Sequence, residues 1–446
     1  MKTGIVCAAI AAASLGCNMK VAAGAAIDEP VAATTTALQR CLSARAEQQS
    51  FSGVISVTHH DVPVAFVTKG VLAGSGSAPI TAATRFNLAS MGKMFTAVAI
   101  GQLVDAGKIH WDDPVGKYVP GLTPEASVVT VRQLLTHSSG LGDFFRPENM
   151  EAMLKARTAS DILPLIAADK PSFPPGSQFR YSNSGFALLG ILIERVSGQH
   201  YADYLRDHVF LPAGMNDTSL SPEPLATLAV GMTALRGGPP AVPTGAPVAV
   251  AGSPGNAAAE QPTDHRGGQR LQPATDKPEA SSGQLVPIGS DGRPLPASAD
   301  TDAASELQPA PGATQGFGSP AGGHFSTAAD MQRFADALLA GKLLSAATTN
   351  VLTSPQIVAF PAKDGRPELN YGMGFGVGSE GGHRWFGHNG GTAGANVEFA
   401  EFPEEQWTLS VFSNRDPPVA STMFRYLKDL LFKPETLQTC AIETSN

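Results

Sequence analysis

Between Phe210 and Phe317 the chain contains no aromatic residue, and from Arg236 to Gly316 it is built of Ala, Pro, Gly and Ser with scattered charges. Such a stretch cannot bury enough apolar surface to offset the entropy lost on ordering it. It therefore reads as a disordered insertion over 236–316 rather than a domain. Closing a long loop costs little more than closing a short one, so the ends of the insertion need only lie close together. Whatever folds must be assembled from two blocks, 34–235 and 317–433, followed by a tail at 434–446.

Both blocks carry clear folding signals. Residues 34–50 are helix-like, with Leu38, Leu42 and Ala46 on one face. "FSGVISV" and "VPVAFVTKG" read as strands joined by the turn "THHD", which makes His59 and His60 turn residues rather than ligands. Met91 to Ala106 and "SNSGFALLGILIERVSG" have helical patterns that end at Gly107 and Gly198. In the second block, Ser326 or Thr327 is a natural N-cap for a helix that stops at Gly341. "YGMGFGVG", "RWFGH", "NVEFAEFP" and "WTLSVFSN" then form four strand-like runs at short spacing, and residues 418–432 read as a final helix. Strands lie at both ends of the sequence and helices in the middle. The economical arrangement is an α+β fold, with an antiparallel sheet assembled from both ends, flanked by helices, and a helical lobe between. The seam between sheet and lobe is the expected place for a site.

The first residues describe an export leader over 1–26. Lys2 precedes the apolar run "GIVCAAIAAASLGC", which is short for a membrane span. "SLGC" before Cys17 has the form of a lipoprotein processing site, although Ser14 stands where a large apolar residue is usual. "VAAGAA" at Val21 to Ala26 offers a site for simple secretion and is preferred. Both routes lead to an exported chain, periplasmic or secreted, and the first adds a lipid anchor at Cys17. No other apolar run is long enough to cross a membrane. Cys41 and Cys440 remain as an even pair near the two ends of the mature chain. A disulfide between them is expected in an oxidising compartment, with two buried free thiols as the alternative. The formal net charge of −8 offers no basic stripe for nucleic acid.

Three short stretches carry chemistry. In "FNLASMGKMF", Ser90 lies three residues before Lys93, so the amine can reach the hydroxyl on one helix face. A serine needs a base, and burial among Phe86, Leu88 and Phe95, together with a second positive group, would lower the lysine enough to serve as one. Alone, the pair is more often a surface helix with a solvated lysine. In "RYSNSGF", Tyr181 and Asn183 sit at a loop-to-helix junction, where a phenol and an amide can face one cleft; Asn183 can also be a plain helix cap. In "FGHNGGTAG", glycines after His388 allow a strand to approach a ligand closely, or form a tight turn. "SPAGGHFST" reads as a structural entry to the following helix.

Ser90-x-x-Lys93, Tyr181-Ser-Asn183 and His388-Asn389-Gly390, in that order, resemble the serine hydrolases related to class C β-lactamases, a group that includes D-alanyl-D-alanine carboxypeptidases, D-amino-acid peptidases and esterases. "LLTHSSGL", "LPAGMNDTSL" and "AGGHFSTAADMQRF" support the resemblance, which covers about 35–230 and 317–433. It implies a β-lactamase/transpeptidase-like fold, no metal and no cofactor. Ser90 would be the acylated nucleophile, with Lys93 beside it and Tyr181 as partner base and proton relay. Asn183 would orient Lys93 and the substrate amide. His388, Asn389, Gly390 and Gly391 would line the opposite strand, with the N–H groups of Ser90 and Gly391 as an oxyanion hole. The substrate would be a small molecule or peptide. The chain departs from the class C pattern at His388, where a lysine is usual, and at the 236–316 insertion. The histidine favours an esterase or D-amino-acid peptidase over an efficient β-lactamase. A non-catalytic binder of cell-wall fragments on the same fold is the alternative from another class, and a partner-binding role for the insertion is a third. Oligomeric state is not legible.

Overall fold

The computed structural model describes residues 29–234, 307–310, 318–362 and 368–443. Its centre is an antiparallel sheet of eight strands. These are β1 (Gly53–His59), β2 (Val62–Lys69), β3 (Ile357–Phe360), β4 (Leu369–Tyr371), β5 (Gly376–Glu380), β6 (His383–Thr392), β7 (Ala395–Phe402) and β8 (Trp407–Ser413). The spatial order is β2-β1-β8-β7-β6-β5-β4-β3. The N-terminal hairpin thus joins a C-terminal meander, with Gly53 opposite Ser413 and His59 opposite Trp407. His60 and Asp61 turn the first hairpin with positive φ, and His59 stacks on Trp407.

Strand alternation divides the sheet between two cores. Ile55, Val57, Ala400 and Phe402 face one side, where they pack with Leu38, Leu42, Met423 and Leu427 of the terminal helices. Those helices are α1 (Glu29–Gln48), α5 (Val419–Phe432) and α6 (Pro434–Glu443). Val54, Val397 and Phe399 face the other side, toward the helical lobe. The lobe is built on α2 (Lys93–Asp105) and α3 (Asn183–Ser197), with α4 (Ala328–Leu339) beside them. Every residue of α3 from Asn183 to Ile193 is buried, and from Gly185 to Ile193 the run is apolar all round. Gly198 closes it in the left-handed region at φ 76°. Thr327 caps α4 by accepting from the Asp330 N–H.

Two expectations change in detail. The residues after 433 are not a plain tail: they form α6, and Cys440 on it is disulfide-bonded to Cys41 on α1, with Cα atoms 5.9 Å apart. Within 236–316, Gln308–Pro309 pairs antiparallel with Met232–Thr233, and Ala310 is buried, so these residues belong to the folded unit. Most of that expected insertion, like the 1–26 leader and Cys17, lies outside the described residues. Among the described residues no helix is long and apolar enough to cross a membrane.

Candidate active site

Ser90 is presented by a constrained turn. Phe86–Asn87 pairs with Phe325–Ser326, and the Asn87 side chain accepts from the Ala89 N–H at 2.8 Å. Ala89 takes φ +44°, and its carbonyl accepts from the Gly323 N–H at 2.9 Å. A Cβ on Gly322 would lie 2.2 Å from that same carbonyl oxygen, so a glycine is needed for the segment to pass. Ser90 lies in a 3₁₀ turn, Ala89–Gly92, and Lys93 is the first residue of α2. In a 3₁₀ turn, residues i and i+3 stack directly, so the serine and lysine are placed by this turn rather than by the α-helix.

Lys93 has no solvent exposure. Its Nζ donates to Asn183 Oδ1 at 2.7 Å and to the Ala321 carbonyl at 2.5 Å, and lies 3.3 Å from Ser90 Oγ. It sits 4.7 Å above the centroid of the Tyr181 ring. Burial brings its pKa down to about 7, opposed in part by Asp143.

Asn183 does not cap its helix. Ser182 does, accepting from the Gly185 N–H, and this frees the Asn183 amide for the site. Its Nδ2 donates to Asp143 Oδ2 at 2.6 Å. The Tyr181 hydroxyl is buried without a hydrogen-bond partner among the described residues. Burial pushes its pKa up, with the nearby Ser90 hydroxyl offsetting part of the shift.

His388 faces Tyr181, with ring centroids 6.4 Å apart. Its Nδ1 donates to the Asn389 carbonyl at 2.5 Å, so the tautomer leaves Nε2 to accept from the Tyr371 hydroxyl at 3.0 Å. Burial and the Lys93 charge lower its pKa to about 3. It is a neutral, fully engaged imidazole. Asn389 points away from the cleft: its side chain bonds Glu398 on the opposite face of the sheet, as strand alternation requires. Gly390 lies under the Ser90 turn, where a Cβ would meet the Leu88 carbonyl at 2.2 Å. Gly391 reaches the cavity beside Ser90.

That cavity, about 250 Å³, opens at Ser90, Asn183 and Gly391. Phe144, Phe145, Met153, Ala156, Ile162 and Leu220 give it an apolar wall, and the exposed Arg157 stands at its edge.

Sequence reasoning missed four contributors. Asp143 and Tyr371 hold Asn183 and His388. His137 lies against Tyr181 with ring centroids 4.1 Å apart and planes tilted by 32°, and accepts from the Ser182 N–H. The "SPAGGH" segment is more than a helix entry, since its Ala321 carbonyl receives Lys93 and Thr96 tethers it through the Pro320 carbonyl at 2.7 Å. For His137 the sequence offers "LLTHSSGL", which supports the resemblance without assigning a role to any of its residues; Asp143 lies two residues beyond it.

The Beta-lactamase family model matches residues 38–432. The chain belongs to the Beta-lactamase family. It is 34% identical over 212 residues to penicillin-binding protein 4* of Bacillus subtilis (strain 168), a match covering 44% of each chain. The chain thus spans less than half the length of that curated relative. Among solved structures, a penicillin-binding protein from Bacillus halodurans aligns at TM-score 0.64 and 25% identity, over 87% of this chain and 98% of the other. D-amino acid amidase from Ochrobactrum anthropi SV3, complexed with D-phenylalanine, shares the fold at TM-score 0.63 and 22% identity, over 93% and 100%. The β-lactamase/transpeptidase-like architecture expected from the motifs is the architecture present.

Proposed function

We propose that the protein is an exported serine acyl-hydrolase that cleaves a small ester or amide through an acyl-enzyme on Ser90. The observation that carries this reading is the set of Lys93 contacts. A neutral amine has two N–H bonds and one lone pair. Two carbonyl oxygens, Asn183 Oδ1 and Ala321 O, occupy the two N–H groups, which turns the lone pair toward Ser90 Oγ. With a pKa near 7, about half of the amine is neutral at neutral pH.

The steps follow from that arrangement. Ser90 Oγ attacks the substrate carbonyl carbon as Lys93 takes its proton. The developing oxyanion lies at the mouth of the cavity, beside the backbone of Ser90 and Gly391. Tyr181, whose raised pKa keeps it protonated, donates to the leaving group and is reprotonated from Lys93. Water then enters, gives a proton to the same amine–phenol pair, and releases the acid and free Ser90.

The surroundings bear on substrate class. The cavity wall next to Ser90 is mostly apolar and suits an uncharged acyl group. His388 supplies no positive charge, so a substrate carboxylate lacks the partner that a lysine would give it there. An esterase or D-amino-acid peptidase therefore ranks above an efficient β-lactamase. The test is intact-protein mass and product release with p-nitrophenyl butyrate and, separately, nitrocefin, for wild type and Ser90→Ala. Ester turnover lost in Ser90→Ala, with slow nitrocefin turnover, is the expected result. Ester turnover that survives in Ser90→Ala refutes the assignment.

A further inference from the structure

We propose that Asp143 is a positioning residue, which fixes the Asn183 amide and through it the Lys93 amine beside Ser90. The inference rests on the Ser90–Lys93 reading for its kinetic consequence, but not for its geometry. Asp143 is 9% exposed and lies in the loop that follows "THSSGL". Each of its carboxylate oxygens accepts one N–H donor: Oδ1 from the Phe145 backbone at 2.9 Å and Oδ2 from Asn183 Nδ2 at 2.6 Å. An amide in the same place has one acceptor oxygen and would turn an NH₂ group toward one of those two donors. A carboxylate is therefore the group that satisfies both.

The consequence passes to Lys93. With Nδ2 held by Asp143, the Asn183 amide must present Oδ1 to the amine, which it does at 2.7 Å. Flipping the amide would set NH₂ against the amine and oxygen against the carboxylate, losing both contacts. Asp143 is also the anionic group whose charge supports protonation of Lys93. The other titratable groups around that amine are Tyr181, His137, His324 and His388, of which the three histidines are held neutral by burial and by Lys93 itself. Arg146 does not neutralise the Asp143 carboxylate by direct contact. Its Nε donates to the Asp143 backbone carbonyl, and its guanidinium pairs with Asp169 at 3.2 Å.

The experiment compares wild type, Asp143→Asn and Asp143→Glu, with thermal melts to establish folding. The Lys93 amine is titrated by NMR of the ¹³Cε-labelled lysines, assigned with Lys93→Met. In Asp143→Asn the Lys93 titration should move down by roughly one pH unit, the usual scale for a lost opposite charge. The acid limb of kcat/KM for p-nitrophenyl butyrate should move with it, and kcat should fall at least tenfold with KM within twofold. Asp143→Glu restores the charge but not the two-donor geometry, so it should recover the titration and not the rate. A residue that merely stabilised the loop would leave the Lys93 titration in place. An unchanged Lys93 titration in folded Asp143→Asn overturns the proposal. Should that variant not fold, Asp143→Glu decides: wild-type kcat overturns it and a tenfold loss supports it. If wild type shows no Ser90-dependent turnover, the acyl-hydrolase reading fails, while the titration still decides the role of Asp143.

Discussion

The pH dependence of the acylation step gives the sharpest check on Lys93 as the base. A solvated lysine has a pKa of about 10.4, so its neutral fraction at pH 7 is on the order of 10⁻³ to 10⁻⁴. Burial brings Lys93 to about 7, which raises that fraction to about half. The gain is roughly three orders of magnitude in active base, set against a folding cost of about 4–5 kcal/mol for the same shift. The sign follows from linkage. The folded pKa is lowered, so the unfolded chain binds more protons between about 7 and 10.4, and the cost is full below pH 7 and fades as pH rises through that window. Two expectations result. With p-nitrophenyl butyrate, kcat/KM should fall tenfold per unit below about pH 7 and level off above it. Lys93→Met should lose at least 10³-fold in kcat yet melt no lower than wild type at pH 6.5, because the buried amine is gone. A flat profile from pH 5.5 to 8.5, or a Lys93→Met variant that is inactive and also strongly destabilised at pH 6.5, would refute the argument that burial of this amine creates the base.

Other consequences can be tested separately. Glu401 is buried with Thr408 as its donor at 2.7 Å, and its pKa is raised to about 8 by burial, with Asp336 and Asp61 adding to the shift. Its folded pKa lies above its unfolded one, so it lowers stability progressively as pH rises from about 4.5 to 8, by about 1 kcal/mol per unit. Glu401→Gln should therefore gain in melting temperature over wild type at pH 8 and gain little at pH 5. Gly92→Ala places a Cβ 2.1 Å from His324 Nδ1, so the imidazole must move from its place behind the Ser90 turn. We expect about 1–3 kcal/mol lost in denaturant titrations, together with lower kcat. Ala156→Phe puts a ring into the cavity wall and should depress turnover of p-nitrophenyl octanoate several-fold more than that of the acetate, read from the ratio of their kcat/KM values.

Much of the fold was legible because its signals are local. Alternating apolar residues in "GVISV" and "NVEFAEF", the glycine stops at 107 and 198, and the Thr327 cap each follow from backbone sterics and hydrogen bonding within a few residues. The placement of Ser90, Lys93, Tyr181 and Asn183 in one cluster was legible from the ordered motifs. What escaped depends on contacts across long sequence separation. Asp143 meets Asn183 over 40 residues, and Ala321 meets Lys93 over 228, and no local pattern marks either partner. The charge state of His388 was only half legible, since the sequence shows a histidine but not the Tyr371 hydroxyl that occupies its Nε2. The misplacement of Asn389 is different in kind. Once His388 faces the cleft, alternation along β6 already sends Asn389 to the other face, so the strand period contained the answer.

The electrostatics of the cleft explain why a histidine fits the third motif in this chain. Lys93, His137, His324 and His388 are all buried, and each histidine is lowered first by burial and then by the Lys93 charge. Among the described residues, Asp143 is the carboxylate whose charge acts on the lysine. A second permanent cation at position 388 would be buried with the Tyr371 hydroxyl rather than a carboxylate as its neighbour, and a buried charge without an opposite partner is costly. The neutral imidazole avoids that cost and still orders β6 against β4 through the Tyr371 hydroxyl. Here, then, the third motif contributes shape and hydrogen bonding, while the charges of the Ser90 cluster stay with Lys93 and Asp143.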